Sequence, residues 1–390
     1  KVGFNDPLGI NLVTLKTVGR RMVDNPFAGQ TRRFQKSGYF SREEVRLANR
    51  NPGIALEMLT HDITPMGMHY QLNHFDIPVI DDDSWRLSVT GLVENPLSLD
   101  LGNFKKLSKY DQTVTLECAG NGRAHFTKRN QSMPWFSEAV GTAVWSGARL
   151  TDVLAQAGMK AGASEVVFIG ADRGFDNGTE HHFSRSLNME HAGQPEVLLA
   201  YEMNKQPLPV QHGYPLRLIV PGWFGVASVK WLKAVEVIDH AFEGYQQAVN
   251  YHYRNHAGDP GVPITEMKVK SLLMPPGIPD WYTRKRLLQS GHVTLRGRAW
   301  SGSGAVVEKV QVGIDGIWKE ARLGQKLGPY AWRQWFIDWE AEPGEHMLKC
   351  RAYDDLGNTQ PDDPQWDQAG FGNNALHSLE VTVSQKYSLP

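Results

Sequence analysis

Two cysteines, Cys118 and Cys350, are too few and too far apart in a chain of 390 residues to form a disulfide framework, so both read as free thiols. Charge of either sign is not in excess: 41 Lys plus Arg stand against 42 Asp plus Glu. That balance removes the bulk electrostatic case for a nucleic-acid or membrane partner and confines any anion binding to a local site. No apolar run approaches the roughly 20 residues needed to cross a bilayer, and none resembles a signal-peptide core. There is no G-x-G-x-x-G after a first strand and no P-loop, which excludes the common dinucleotide and nucleotide folds. There is no C-x-x-C-H, so no covalently attached haem is expected. The sequence starts at Lys1 rather than Met. The compartment is therefore open between cytoplasm, which is favoured, and periplasm after removal of an export signal.

With 41% hydrophobic and 21% charged residues, the chain has a soluble globular composition and the length for two or three domains. Residues 1–45, with "NPFAGQTRRFQKSGYF", lack a sustained period and read as an extended arm. "SREEVRLANRN" reads as a short helix with Ser41 as N-cap. Residues 46–257 mix short β-rich runs ("WRLSVTGLV", "TVTLEC", "SEVVFIGAD", "LRLIVPG") with helical ones such as "LTDVLAQAGM", an α+β pattern. "HAGDPGVPITEMKVKSLLMPPGIPD" reads as a linker from its prolines and glycines. From there residues 258–390 carry short alternating strands with turn signals "IDGIW", "EPGEH" and "DLGN", the pattern of a β-sandwich. Trp300, Trp318, Trp332, Trp335 and Trp339 supply bulk for its core or an interface. Cys350 falls where a strand would bury it.

The stretch "TVTLECAGNGRAHF" raises the sharpest question. Cys118 shares a strand face with Val114 and Leu116 and then meets a turn of small residues, with Arg123 and His125 close behind. Such a thiol is reachable by a ligand and encouraged to ionise by neighbouring positive charge. It reads as a core cysteine, a nucleophile paired with His125, or a thiolate metal ligand. Zinc is a poor candidate because no second cysteine stands nearby. A single thiolate suits a metal whose other ligands come from a cofactor.

"TLECAGNGR" resembles the cysteine loop of the sulfite oxidase family of molybdenum enzymes. "DITPMGMHYQLNH", "EVLLAYEMNKQPLPVQHGYPLRLIVPGWFGVASVKWL" and "RAYDDLGNTQP" resemble further segments of that family in the same order, across residues 55–385. The resemblance implies a mixed α/β molybdopterin-binding domain followed by an immunoglobulin-like β-sandwich dimerisation domain. It also implies Cys118 as the protein's sole ligand to a molybdenum-pterin cofactor. The matching cofactor-binding positions are Tyr70, Asn73, His74, Asp172, His212, Arg217, Ser228, Val229 and Lys230. Arg217 stands out in its own right, since a charge inside an apolar strand needs a partner. Arg123 and Tyr251 match substrate-side positions, with Tyr253 a less favoured neighbour.

The implied reaction is oxidation of sulfite to sulfate by oxygen-atom transfer, in a haem-free homodimer that passes electrons to an external acceptor, a cytochrome or oxygen. Three departures bear on the substrate: Leu72, Gly122 and Ala369 stand where the family has arginines. They favour an alternative in which the same fold and cofactor act on another sulfur compound or oxo-substrate. Lys128, Arg129, Arg173, His181 and His182 are candidates to restore the missing charge. A non-catalytic binding module and a cysteine hydrolase using Cys118 and His125 are the rival classes.

Overall fold

A computed structural model describes residues 40–385 apart from 127 and 303. The arm expected over residues 1–39 lies outside the described residues. Its expected last residues open a helix, Arg42–Arg50, which starts as a capping box: the Ser41 hydroxyl accepts the Glu44 N–H, and the Glu44 carboxylate accepts the Ser41 N–H at 2.9 Å.

The segment expected to be mixed α+β contains two five-stranded systems. One orders strands Leu97–Leu99, Leu87–Gly91, Leu232–Ile238, Glu165–Asp176 and Thr179–Asn188. The other orders Tyr110–Glu117, Val140–Arg149, Leu198–Met203 and Gln206–Pro207, with Arg217–Ile219 pairing with Leu198–Met203. The helix Leu150–Ala157 buries Leu150, Val153, Leu154 and Ala157, and stops at Gly158, whose φ of 68° suits a residue without Cβ. The C-terminal β-sandwich packs a four-stranded sheet, built around Gly291–Trp300 and Arg333–Ala341, against a six-stranded one around Gly344–Asp354 and Val307–Ile314. Cys350 is fully buried there, and burial pushes its thiol up to about 12.

The segment read as a linker is not a free connection. Ile264 and Met267 are buried in the core of the first region, and Lys270–Leu273 is a strand of the sandwich. Its prolines and glycines punctuate a packed path, a distinction that composition does not register. The Tyr110–Glu117 strand departs from the expected half-buried alternation for the same reason. Its second face, carrying Thr115 and Glu117, is also buried because the sandwich covers it. Thr115 Oγ1 accepts the Trp332 N–H at 2.7 Å, and Glu117 accepts from Trp300 Nε1 at 2.9 Å and Lys270 Nζ at 2.8 Å. Trp300 and Trp332 thus pack into the core of the first region, while Trp335 stays in the sandwich core.

Candidate active site

Strand Tyr110–Glu117 delivers Cys118 to a tight turn in which the Asn121 N–H donates to the Cys118 carbonyl at 2.9 Å. The Asn121 side chain locks the turn, donating to Glu117 Oε1 and accepting the Ala139 N–H. Both glycines of "AGNG" are required. A Cβ on Gly120 would sit 2.6 Å from the Arg123 guanidinium, and Gly122 has φ +94° with Asn373 2.9 Å from the Cβ position. The thiol is buried, and burial raises its pKa; Arg123 opposes this more weakly. The expectation of a thiol primed to ionise is therefore corrected. His125 faces another cavity, with Ser137, Lys270 and His377, and its Nε2 lies 3.3 Å from Ser137 Oγ. Cys118 and His125 therefore do not share a cavity and do not form the pair that a cysteine hydrolase would use.

Cys118 lines two cavities at once, together with Leu72, His74 and Tyr251. The inner one gathers buried cations and neutral imidazoles. Arg217 donates to the carbonyls of His212 (2.8 Å) and Ser228 (3.1 Å) and lies over the Trp145 ring at 4.7 Å. The partner expected for this buried charge is thus backbone and aromatic, not a carboxylate. Lys230 Nζ donates to the Leu72 and Gln211 carbonyls and to Asn73 Oδ1. Trp231 follows with φ 49°, a strained conformation for a large residue, and its indole N–H fixes it to the Val210 carbonyl at 2.8 Å. That bend aims Lys230 into the cavity.

Burial is the main cause that lowers His69 to about 4, His74 to about 3 and His212 to about 2. All three rings are neutral at pH 7. Burial also pushes Asp172 up to about 7, against the pull of Lys230, and lowers Lys230.

The outer cavity, about 610 Å³, opens on the other side of Cys118. Tyr251 stands at the junction, with its phenol oxygen 2.6 Å from His74 Nε2 and its ring stacked on Phe371 at 4.9 Å. Burial keeps the His74 ring neutral and raises the phenol, so a neutral imidazole and a protonated phenol share this bond, with its direction set by the His74 tautomer. Arg123 is anchored by Nε to the Ala369 carbonyl (2.6 Å) and by Nη1 to the Met133 carbonyl (2.8 Å). Ala369 and Phe371 belong to a loop of the C-terminal region, which therefore walls the site as well as building a sandwich.

Of the positions expected at the site, all but Val229 line one or both cavities. Val229 is a core residue whose N–H donates to the Ala227 carbonyl. Among the three neutral replacements, Leu72 and Ala369 line the outer cavity, whereas Gly122 faces Asn373 and the separate cavity of His125. None of the candidates to restore charge lines either cavity. Arg129 pairs with Glu44, Arg173 pairs with Glu180, His182 bonds the Asp172 carbonyl and Lys233, His181 stacks on Tyr245, and Lys128 is exposed. Tyr253 packs against Gly372 and beneath Lys268. His69, Asp176 and Phe371 line the cavities and were not singled out from sequence. His69 directly precedes Tyr70 in the first loop, a signal available in the sequence; Asp176 and Phe371 carry none.

A molybdopterin-binding oxidoreductase is the class that this fold and site match. The family described as "Oxidoreductase molybdopterin binding domain" matches residues 74–246, and "Mo-co oxidoreductase dimerisation domain" matches residues 262–384. Mitochondrial sulfite oxidase of Homo sapiens is 38% identical over 353 residues, covering 84% of this chain and 63% of that protein. Sulfite oxidase of Arabidopsis thaliana is 32% identical over 350 residues, covering 81% and 87%. NADH nitrate reductase of Ulva prolifera is 31% identical over 368 residues, covering 85% and 42%. The crystal structure of the sulfane dehydrogenase SoxCD from Paracoccus pantotrophus superimposes with a TM-score of 0.74 at 25% identity, covering 97% of both chains. The chain belongs to the sulfite oxidase family of molybdenum oxidoreductases. It spans 63% of the length of the mammalian sulfite oxidases that it matches.

The inner cavity fits the molybdenum-pterin group of this family. His69 Nε2 and Asp172 Oδ1 are buried without a hydrogen-bond partner, and Arg217 and Lys230 form no ion pair with a described carboxylate. Unmet polar atoms and buried positive charge are what a pterin ring bearing a phosphate satisfies.

Proposed function

We propose that the chain oxidises sulfite to sulfate by oxygen-atom transfer and passes electrons to a separate acceptor, a cytochrome or oxygen, as a homodimer formed through its β-sandwich region. The observation that carries this reading is the position of Cys118. Its thiol lies at the junction of a cationic inner cavity and an open outer one, with the Tyr251–His74 hydrogen bond beside it.

The cofactor, when bound, supplies the oxygen-atom and two-electron chemistry. The chain's residues do the rest. Cys118 would hold the metal as its single protein ligand, as a thiolate that has given up its proton. Arg217, Lys230, His212 and Ser228 would hold the pterin end, and Asp172 would offer its carboxyl to the ring. Arg123 offers its remaining N–H groups to an anionic substrate in the outer cavity. Tyr251 holds a proton at its phenol oxygen, within hydrogen-bond reach of the neutral His74 ring.

The test measures molybdenum per chain and sulfite-dependent ferricyanide reduction for the wild type and Cys118→Ser. The wild type should carry stoichiometric molybdenum, and the variant should lose turnover by more than about a hundredfold. Metal-free wild-type protein from a cofactor-competent host, or a fully active variant, would refute the reading. A second reading, another sulfur substrate, is favoured by Leu72 and Ala369, which leave the outer cavity with little positive charge.

A further inference from the structure

The charge inventory of the outer cavity points to a zwitterion. Among the described residues its lining contains one arginine, Arg123, and one carboxylate, Asp176; the remainder is amide, hydroxyl, thiol, indole, apolar and neutral imidazole. Arg123 is buried, and among the described residues two of its five N–H groups are committed to backbone carbonyls. Asp176 is half-buried on the strand Glu165–Asp176. Its described contacts are two long amide bonds, to Gln246 Nε2 and Asn250 Nδ2, each at 3.5 Å. No described lysine or arginine pairs with it. Arg185 is buried, donates to the carbonyls of Gln246 and Ile264, and does not line the cavity.

A doubly charged inorganic anion in this space meets one cation and a repelling carboxylate. It also leaves most of about 610 Å³, a volume typical of sites for organic ligands, unfilled.

We infer that the outer cavity selects an aminoalkane sulfinate, with the sulfinate group at Arg123 and Cys118 and the ammonium group at Asp176. A sulfinate is sulfite with one oxygen replaced by carbon. It keeps the sulfur lone pair that the oxidation uses and loses one negative charge, in step with the loss of arginine at positions 72 and 369. In the reaction R–SO2⁻ and water give R–SO3⁻: one S–O bond forms, the two O–H bonds of water break, two protons go to solvent, and two electrons pass singly to a one-electron acceptor. This inference rests on the proposed oxidation of sulfur at the same site.

The test compares 2-aminoethanesulfinate, ethanesulfinate and sulfite as substrates of the molybdenum-loaded protein with ferricyanide as acceptor, in the wild type and Asp176→Asn. Binding of the product 2-aminoethanesulfonate is measured in parallel by calorimetry. The expected result is a kcat/KM for the amino compound roughly tenfold above that for ethanesulfinate, with most of this ratio lost in Asp176→Asn while ethanesulfinate changes less than about twofold. Product binding should weaken by a similar factor in the variant. Equal use of the two sulfinates, or an equal effect of the substitution on both, would overturn the inference. Turnover of sulfite without turnover of either sulfinate overturns this inference alone. No turnover of any sulfur substrate by loaded protein overturns the sulfur-oxidation reading, and the calorimetry then still decides whether Asp176 binds the ammonium group.

Discussion

Removing the ammonium group of Lys270 should destabilise the protein far more than a surface lysine substitution would. Lys270 Nζ lies 2.8 Å from Glu117 Oε1 and 2.7 Å from the Asn373 carbonyl, and the two side chains of the pair are 5% and 3% exposed. Lys270→Met takes the countercharge from a carboxylate that solvent cannot reach. Breaking such a pair costs about 3–5 kcal/mol. Glu117 keeps two donors, Asn121 Nδ2 and Trp300 Nε1, which places the expected loss near the lower end, about 3 kcal/mol. Equilibrium urea unfolding, followed by tryptophan fluorescence, measures it. Adding Glu117→Gln removes the stranded charge, so the double variant should recover at least about 1.5 kcal/mol relative to the sum of the single changes. A loss below about 1 kcal/mol for Lys270→Met, or strict additivity, would refute the argument that this pair holds the sandwich to the cysteine strand. Because Glu117 is the residue before Cys118, Lys270→Met should also lower the molybdenum content per chain.

Restoring charge at position 72 should matter and at position 122 should not: Leu72→Arg lowers the KM for sulfite about tenfold, while Gly122→Arg destabilises the turn and leaves sulfite affinity unimproved, as steady-state kinetics on folded fractions will show. Tyr251→Phe removes the 2.6 Å bond to His74 and should lower kcat by a factor of about 10²–10⁴ with a smaller change in substrate binding, read from pre-steady-state reduction and product-inhibition constants. The cofactor-free protein should be acid-labile. His69 and His212 titrate at about 4 and about 2 when folded but near the ordinary 6.5 when unfolded, so the unfolded chain binds more protons and stability falls as pH drops through 6.5. Asp172, at about 7 when folded, works in the opposite sense between about 7 and 3.8. His74 and His377 are also held at about 3, so four imidazoles against one carboxyl leave about three net protons, a slope of about 4 kcal/mol per pH unit between roughly pH 6 and 5. His69→Gln/His212→Gln should cut it to about a third in urea titrations at stepped pH.

Local rules account for much of the fold that the sequence displayed. Ser41 and Glu44 form the expected cap because both halves of a capping box lie within one turn. Gly158 ends its helix because it alone tolerates the required φ. The two errors of pattern, the linker and the half-exposed cysteine strand, share one cause. Lys270–Leu273 joins the sandwich, and the sandwich covers Thr115 and Glu117, so a single long-range contact makes a Pro- and Gly-rich segment structural and a polar strand face internal. Composition and periodicity report on neighbours within a few residues, and this contact joins positions more than 150 apart.

The site divides along the same line. Residues that act through their own loop, such as Cys118, His74 and Lys230, could be found from their motifs, because a turn or a strained φ fixes where each side chain goes. Residues that act from another part of the chain could not. Phe371 reaches Tyr251 from the C-terminal loop, and Asp176 enters the cavity because its strand pairs with Leu232–Ile238, which begins directly beyond Lys230 and Trp231. The comparison with family arginines shows the hazard in reverse. Leu72, Gly122 and Ala369 look equivalent as three lost charges in a linear reading. Yet Gly122 presents its vacant Cβ direction to Asn373, away from Cys118, while Ala369 lends its carbonyl to Arg123 and so helps hold the one cation that remains. Counting lost charges in the sequence overstates the change to the pocket. Counting the charges among the described residues that line it, one guanidinium and one carboxylate, is the better guide to a substrate.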